Sequence, residues 1–394
     1  MMTDALLPVY SRSSLTMVRG EGVYLFDDKG KRYLDFAAGV AVNSLGHCHP
    51  HVVKALKQQS EILWHCSNLY HTPWLHSFAD RLVNMCFADK VFFTNSGVEA
   101  IECGIKMIRK YQFEKGYTDR YRIITLQGGF HGRSLTAISA SGNSMVMRGF
   151  EPAVDGFDQV PFNDLKATFD AITPKTAGIM IETIQGEGGI RPVSAEYLQG
   201  VRKLCDDYGL LLMLDEVQCG MGRSGKIFAY EYAGITPDIC TIAKGIGTGF
   251  PLGACLATNN AASGMTVRSH GGTYGGNPLA MVVGNAVLDI LLADGFLANV
   301  NRTSDLLQSG LKGLVLGFPD LYEEVRGTGL MLGLKVKAPH SHTRIVEQLR
   351  TQGLLTVAAW DNVIRILPPL IITETQVIEG LAALRQVSKS YVRS

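Results

Sequence analysis

Residues 210–215 read Leu-Leu-Leu-Met-Leu-Asp. Five apolar side chains in a row do not alternate between core and water. The run therefore predicts a strand covered on both faces, as in a parallel sheet. Upstream, Ser194–Tyr208 has helical spacing and is closed by Gly209, which can take the left-handed conformation at a helix end. Ala177–Ile184, Arg122–Leu126 and Lys90–Asn95 predict three further strands. A helix is expected from Ser96, with Ile101, Ile105 and Ile108 on one face and Ser96 and Glu99 forming an S-x-x-E capping box. Downstream, Asp238–Ala243 and Pro251–Thr258 add two strands. This alternation of strand and helix predicts an α/β domain with a largely parallel sheet.

The last hundred residues differ. A long helical region is predicted from Pro278 past Leu292, strands near Leu330–Val336 and Val363–Leu367, and a helix near Thr343–Gln352. A final helix is expected from Thr373, with a T-x-x-Q box to Gln376. Near the start, Tyr24–Phe36 reads as a hairpin turning at Asp28-Lys29-Gly30 and is expected to pack on the C-terminal unit. The organisation predicted is a large domain over 46–285 and a smaller α+β domain built from 1–45 and 286–394.

The 394 residues include 37 Lys+Arg and 36 Asp+Glu, a net charge of +1. This balance argues against a strongly basic nucleic-acid binder and against an acidic tail protein, so no nucleic-acid partner is expected. No two of the eight cysteines lie closer than 14 positions, so the sequence holds no CxxC pair for zinc or redox work. Free thiols, a cytoplasmic location and no metal are expected. The N-terminus lacks the basic region of a signal peptide. The apolar stretch Leu279–Ala293 is interrupted by Asn285 and Asp289, so no membrane partner is expected.

Glycine is in excess, at 43 residues, while proline stays at 14. Seventeen of the glycines fall in five clusters, at 128–132, 186–189, 220–225, 245–253 and 271–276. Most of these lie at predicted C-terminal ends of strands, the edge where open α/β sheets bind ligands. Two glycine runs imitate nucleotide motifs. Gly220–Lys226 matches G-x-x-x-x-G-K, but Ile227 stands where a magnesium-binding hydroxyl belongs. Gly327–Gly333 is out of step with the dinucleotide fingerprint and leads into a strand. His47, His49 and His51 suggest a metal, but a structured turn before a helix near Pro50 is the better expectation.

Three features converge on one cofactor. Asp215 ends an apolar strand, where a carboxylate is costly to bury without a cationic partner. Lys244 ends the next apolar strand, where desolvation lowers an amine's pKa and makes it a nucleophile. The turn Asn95-Ser96-Gly97-Val98 opens a capped helix whose free N–H groups suit a phosphate. Pyridoxal 5'-phosphate needs such a set: a Schiff-base lysine, an acid beside the ring nitrogen and an anion site.

The motifs F-F-T-N-S-G-V-E-A (92–100), F-H-G-R (130–133), E-T-I-Q-G-E-G-G (182–189), L-D-E-V-Q-C-G-M-G-R-S-G (214–225), P-D-I-C-T-I-A-K (237–244) and H-G-G-T-Y-G-G-N-P (270–278) resemble those of the class III (subgroup II) pyridoxal-phosphate aminotransferases. The resemblance runs from Val18 to Leu370 and implies fold type I. It implies that Lys244 forms the Schiff base and shuttles the proton, and that Asp215 pairs with the ring nitrogen. Val217 and Phe130 would sandwich the ring, and Gln218 would contact its phenolic oxygen. Gly97 and Val98 would bind phosphate with Ser96 nearby, and Glu216 is implied among the cofactor residues. Thr273 would reach the phosphate of a neighbouring subunit, which implies a homodimer.

Arg133 is implied to bind the donor's α-carboxylate and Arg365 a carboxylate of 2-oxoglutarate or glutamate, with Glu187 switching Arg365 off in the other half-reaction. Within the family, the resemblance is strongest to members taking N2-acetyl-L-ornithine as donor and 2-oxoglutarate as acceptor. Val40 stands where members acting on ornithine carry a tyrosine, which suits an acylated, uncharged α-amine. Gly272 stands where a substrate-contacting serine is common, so succinylornithine, succinyldiaminopimelate or another terminal amine is the alternative donor. A non-enzymatic binding role is disfavoured by the intact set of site residues.

Overall fold

The computed structural model describes residues 5–393. Met1–Asp4, on which the signal-peptide expectation partly rests, lie outside the described residues. Three strands open the chain: β1 (Met17–Glu21), β2 (Tyr24–Asp27) and β3 (Arg32–Asp35). The middle supplies β4 (Lys90–Thr94), β5 (Arg122–Leu126), β6 (Phe157–Val160), β7 (Thr176–Glu182), the short pair β8 (Ile184–Gln185) and β9 (Arg191–Pro192), β10 (Leu211–Asp215), β11 (Ile239–Ile242) and β12 (Gly253–Ala257). The C-terminal part adds β13 (Tyr322–Thr328), β14 (Met331–Val336), β15 (Leu354–Leu355), β16 (Val357–Ala359) and β17 (Val363–Ile366).

A seven-stranded sheet has the order β4-β12-β11-β10-β7-β5-β6. Only β12 runs against its neighbours; the pairs β5/β6, β5/β7, β7/β10 and β10/β11 are parallel. The apolar run at 210–215 is buried on both faces, as its sequence predicts. Leu212 and Leu214 face a core shared with Phe78, Leu198, Val201 and Met281. Leu211 and Met213 face the opposite core with Ile101, Ile105 and Ile108 of the helix Gly97–Glu114. Each such side chain contributes about 1.5–3 kcal/mol of burial free energy. Gly104 lets that helix lie close to the sheet, since a Cβ there would meet Met213 Cε at 2.5 Å.

The remaining strands form two further four-stranded sheets, β1-β2-β3-β15 and β13-β14-β17-β16. The hairpin turns where expected. Asp27 holds the turn by accepting the N–H groups of Lys29 and Lys31, and Tyr33 donates to its second oxygen. The parallel pairing of β3 with β15 joins the hairpin to the C-terminal part. Leu34, Phe36, Leu332, Leu334, Ile364 and Ile366 share a core with the helices Phe296–Gly317 and Glu374–Arg393. The final helix begins with the predicted box: Thr373 N–H donates to Gln376 and Gln376 N–H to Thr373 Oγ1. We propose the division into 46–285 and 1–45 plus 286–394 on the segregation of these cores.

One expected element is corrected. The long helical region from Pro278 is two helices, Pro278–Leu291 and Phe296–Gly317, bent by 70° at a break where Gly295 has φ +80°. No single described helix is long and apolar enough to cross a membrane.

Candidate active site

The C-terminal ends of β4, β5, β7, β10 and β11 meet at one sheet edge, over a cavity of about 340 Å³. Asn95-Ser96-Gly97-Val98 line it where β4 passes into the helix, and Phe130-His131-Gly132 where β5 ends. Glu182 ends β7, Asp215 ends β10, and Val217 and Gln218 follow. Ala243 and Lys244 follow β11, and Gly249–Leu252 precede β12. Eight predicted residues are thus brought together: Ser96, Gly97, Val98, Phe130, Asp215, Val217, Gln218 and Lys244.

Local chemistry explains each placement. Ser96 Oγ accepts the Glu99 N–H, the N-cap half of the predicted box, a bond worth about 1 kcal/mol. The reciprocal half differs, because Glu99 Oε2 accepts the N–H of Asn95 at 2.6 Å and the Ser96 hydroxyl at 3.2 Å. The first helical bond runs from Ala100 N–H to Ser96 O, so the amides of Gly97 and Val98 stand ahead of it at the cavity. A Cβ on Gly97 would meet Val217 Cγ1 at 2.7 Å. Glycine is what lets the helix start approach the strand end so closely. Gly186 likewise leaves room for Gln218, whose side chain lies 2.5 Å from where a Cβ would stand.

Asp215 is buried, and His131 meets it with Nδ1 at 2.8 Å from Oδ2. Its other oxygen accepts the Val217 N–H at 3.0 Å. Burial opposes a charged imidazole, but the hydrogen bond and charge of Asp215, aided by Glu182, outweigh it and raise the His131 pKa. Glu182 pairs in register with Asp215 across β7 and β10. Burial, then the Asp215 charge, pushes the Glu182 carboxyl up to about 7, although the amides of Phe130 and Gly186 donate to it at 2.6 and 3.1 Å. Lys244 has φ +47° and a buried amine. Burial lowers its pKa and Arg365 adds to the effect, against the opposing charges of Asp215, Glu182 and Glu187.

The remaining predicted residues do not line the cavity. Arg365, on β17, is 2% exposed and donates from Nη1 to Glu187 Oε1 at 2.8 Å and from Nη2 to Ala358 O. Arg133 is exposed and sits over the Phe130 ring, 5.5 Å from its centroid. Val40 is half-buried at φ +63° and packs with Ile190, Met331 and Ala359, while Val42 lines the cavity itself. Glu216 turns away from the cavity and accepts the N–H groups of Ala229 and Tyr230 and the Thr183 hydroxyl. Gly272 lines a separate cleft of about 120 Å³, and Thr273 beside it is exposed.

His131 and Glu182 lay inside quoted motifs without a role. The rule that singled out Asp215, a carboxylate ending an apolar strand, applies equally to Glu182. Two of the three histidines at 47–51 also acquire side-chain partners. His47 binds Asp35 at 2.8 Å, and Asp35 accepts the N–H groups of Ala37 and Ala38, which holds the turn before Val40. His51 binds Asp289.

These residues fit a phosphorylated aromatic aldehyde bearing a ring nitrogen. Gln218 Oε1 is buried without a hydrogen-bond partner among the described residues. The Lys244 amine shares that cavity with Asp215 and with the open amides of Gly97 and Val98.

Residues 8–387 match the family described as aminotransferase class-III. The acetylornithine aminotransferase of Mesorhizobium japonicum is 56% identical over 99% of this chain and 97% of that protein. The crystal structure of N-acetylornithine aminotransferase from Stenotrophomonas maltophilia K279a is 38% identical, with a TM-score of 0.86 and 98% of each chain covered. The ornithine aminotransferase from Toxoplasma gondii ME49 is 28% identical, with a TM-score of 0.95, over 99% of this chain and 93% of that one.

Proposed function

The chain belongs to the class-III aminotransferases, and on that premise we propose that it moves the terminal amino group of N2-acetyl-L-ornithine to 2-oxoglutarate. The products are N-acetyl-L-glutamate 5-semialdehyde and L-glutamate, a step of arginine biosynthesis. Its cofactor is pyridoxal 5'-phosphate, in the fold type I architecture. The observation that carries the chemistry is the buried Lys244 amine in one cavity with the His131-held Asp215.

When bound, the cofactor supplies an electron sink for the pair left as a proton leaves the amine-bearing carbon. Lys244 Nζ takes and returns that proton, and burial, which lowers its pKa, favours the unprotonated amine. Asp215 holds a proton at the ring nitrogen, and His131 keeps the Asp215 carboxylate oriented. Phe130 and Val217 would flank the ring, Gln218 would contact its phenolic oxygen, and the amides of Gly97 and Val98 would hold the phosphate. Glu216 acts through the 229–230 backbone that it anchors.

Arg365 and Glu187 separate the half-reactions. With the donor bound, their ion pair neutralises Arg365; with 2-oxoglutarate bound, Glu187 swings out and the guanidinium takes a carboxylate as a fork. Arg365 Nε, buried and unpartnered among the described residues, is the spare donor for that second state. Arg133 binds the donor's α-carboxylate from the cavity mouth. The apolar surroundings of Val40 favour an acylated α-amine.

The protein works as a homodimer, with Thr273 reaching the partner's phosphate. Supporting this, Gly272 and Thr273 lie outside their own subunit's cavity. Near them Leu69, Tyr70 and Tyr274 are exposed, apolar surface that a second copy would cover. The eight free thiols support a cytoplasmic location. The lack of a side chain at Gly272, where the family commonly has a substrate-contacting serine, favours a second reading in which succinylated donors are also accepted.

The test uses the purified holoenzyme. N2-acetylornithine should abolish the visible absorbance of the bound cofactor, and 2-oxoglutarate should restore it. A donor panel then decides specificity: equal turnover of free ornithine would sink the acetylornithine assignment.

A further inference from the structure

Arg223 lies in the glycine-rich turn that imitates a nucleotide-binding loop. It is among the largest fully buried side chains, at 2% exposure, and no carboxylate pairs with it among the described residues. Burial alone lowers its pKa to about 9. Its Nη1 donates to the carbonyls of Leu330, at 3.1 Å, and Pro368. Its own carbonyl accepts the Leu330 N–H at 3.0 Å, while Nε and Nη2 have no hydrogen-bond partner among the described residues. A buried cation without an acid is costly, so this guanidinium is poor as a simple stabiliser.

What it joins is informative. Leu330 immediately precedes β14, Pro368 lies two residues beyond the end of β17, and the two strands pair through Leu332–Ile366 and Gly333–Arg365. On its own side, Arg223 lies five residues after Gln218, in the turn that continues from Asp215. The two surfaces are in close contact. Gly329 has φ +62°, and a Cβ on it would meet the Ser224 carbonyl carbon at 2.2 Å. Ser304 Oγ clasps Gly329 O at 2.6 Å from the helix Phe296–Gly317.

We propose that Arg223 is a positioning residue, one guanidinium that ties the ends of β14 and β17 to the cofactor turn and so sets Arg365 relative to Asp215 and Lys244. The proposal rests on Arg365 being the carboxylate-binding residue. Both bonds leave one nitrogen, Nη1, whose two N–H directions are fixed in the guanidinium plane, a constraint that a freely rotating ammonium does not impose.

The experiment compares Arg223→Lys, Ser304→Ala and Arg365→Lys holoenzymes with the parent. The readouts are KM for donor and acceptor, Kd for 2-oxoglutarate by calorimetry, cofactor absorbance and melting temperature. Arg223→Lys should raise the KM and Kd of 2-oxoglutarate about tenfold, with donor KM and cofactor content changed less than about twofold. Ser304→Ala, which loosens the same contact without touching a charge, should shift the acceptor constants in the same direction by a smaller factor. It carries the test if the lysine variant does not fold. If both KM values move together, or if only the melting temperature falls, Arg223 is structural and the proposal is overturned. An unchanged acceptor KM in Arg365→Lys would refute the carboxylate site itself. A raised value there beside an unchanged one in Arg223→Lys would refute the positioning role alone.

Discussion

Asp215 and Glu182 end neighbouring apolar strands in register, yet their surroundings give them different work. Asp215 has the His131 ring, whereas Glu182 has only backbone amides and is pushed up to about 7. The His131 bond is charge-assisted and buried, a class worth about 1.5–3 kcal/mol. His131→Asn should therefore lower kcat/KM by about 10–100-fold with cofactor content retained. Steady-state kinetics on cofactor-saturated protein checks this, and a loss of less than about threefold would mean that Asp215 needs no such support. A second prediction concerns Glu216, also raised to about 7, chiefly by burial. A carboxyl whose folded pKa is raised binds its proton more tightly in the folded state, so its contribution to stability declines as pH rises through the folded pKa. Glutamine has no such dependence. On going from about pH 5 to about pH 7.5, Glu216→Gln should gain stability relative to the parent, whatever its constant geometric cost. Parallel melting curves decide it, and a gap independent of pH would contradict the raised pKa. At this scale the sequence made Lys244 and Asp215 visible, because charge at the end of an apolar strand is costly. It concealed His131, whose role depends on a partner 84 positions away.

The helix Gly97–Glu114 shows what one element controls. Its start was legible in detail, from the Ser96 cap to the isoleucines on the sheet face. The approach of that start to Val217 was not, since it depends on β10 as well. Gly97→Ala would place a methyl 2.7 Å from Val217 Cγ1 and displace the Gly97 and Val98 amides from the cavity. We expect weaker cofactor binding, about tenfold or more in Kd, with a stability loss of only about 1–3 kcal/mol. Equilibrium dialysis against the cofactor, alongside denaturant melts, separates the two. Unchanged affinity would remove this helix from the phosphate site. The break at 292–295 taught the opposite lesson. Apolar spacing continues across it, and the left-handed Gly295 between two separately packed helices is what interrupts it.

At the scale of the whole molecule, the exposed apolar face near Gly272 and Thr273 makes a prediction about assembly. Leu69→Asp should shift the protein from dimer to monomer in analytical ultracentrifugation and reduce activity in proportion. Thr273→Ala should leave the dimer intact and weaken only cofactor binding. A dimeric and fully active Leu69→Asp protein would place the interface elsewhere. By itself, the sequence determined most of the elements, the sheet edge that carries the cavity, and the lysine, aspartate and helix-opening turn that line it. Those follow from local periodicity, capping and the cost of burying charge, which act over a few neighbouring residues. Only the tertiary structure decided that His131 meets Asp215 and that Arg223 bridges two sheets with no counter-ion among the described residues, and it brings together Arg365 and Glu187, 178 positions apart, whose pairing the family resemblance implies. Such pairings exist only once strands distant in the chain are in register, because their strength depends on separations of about 3 Å that no sequence spacing encodes.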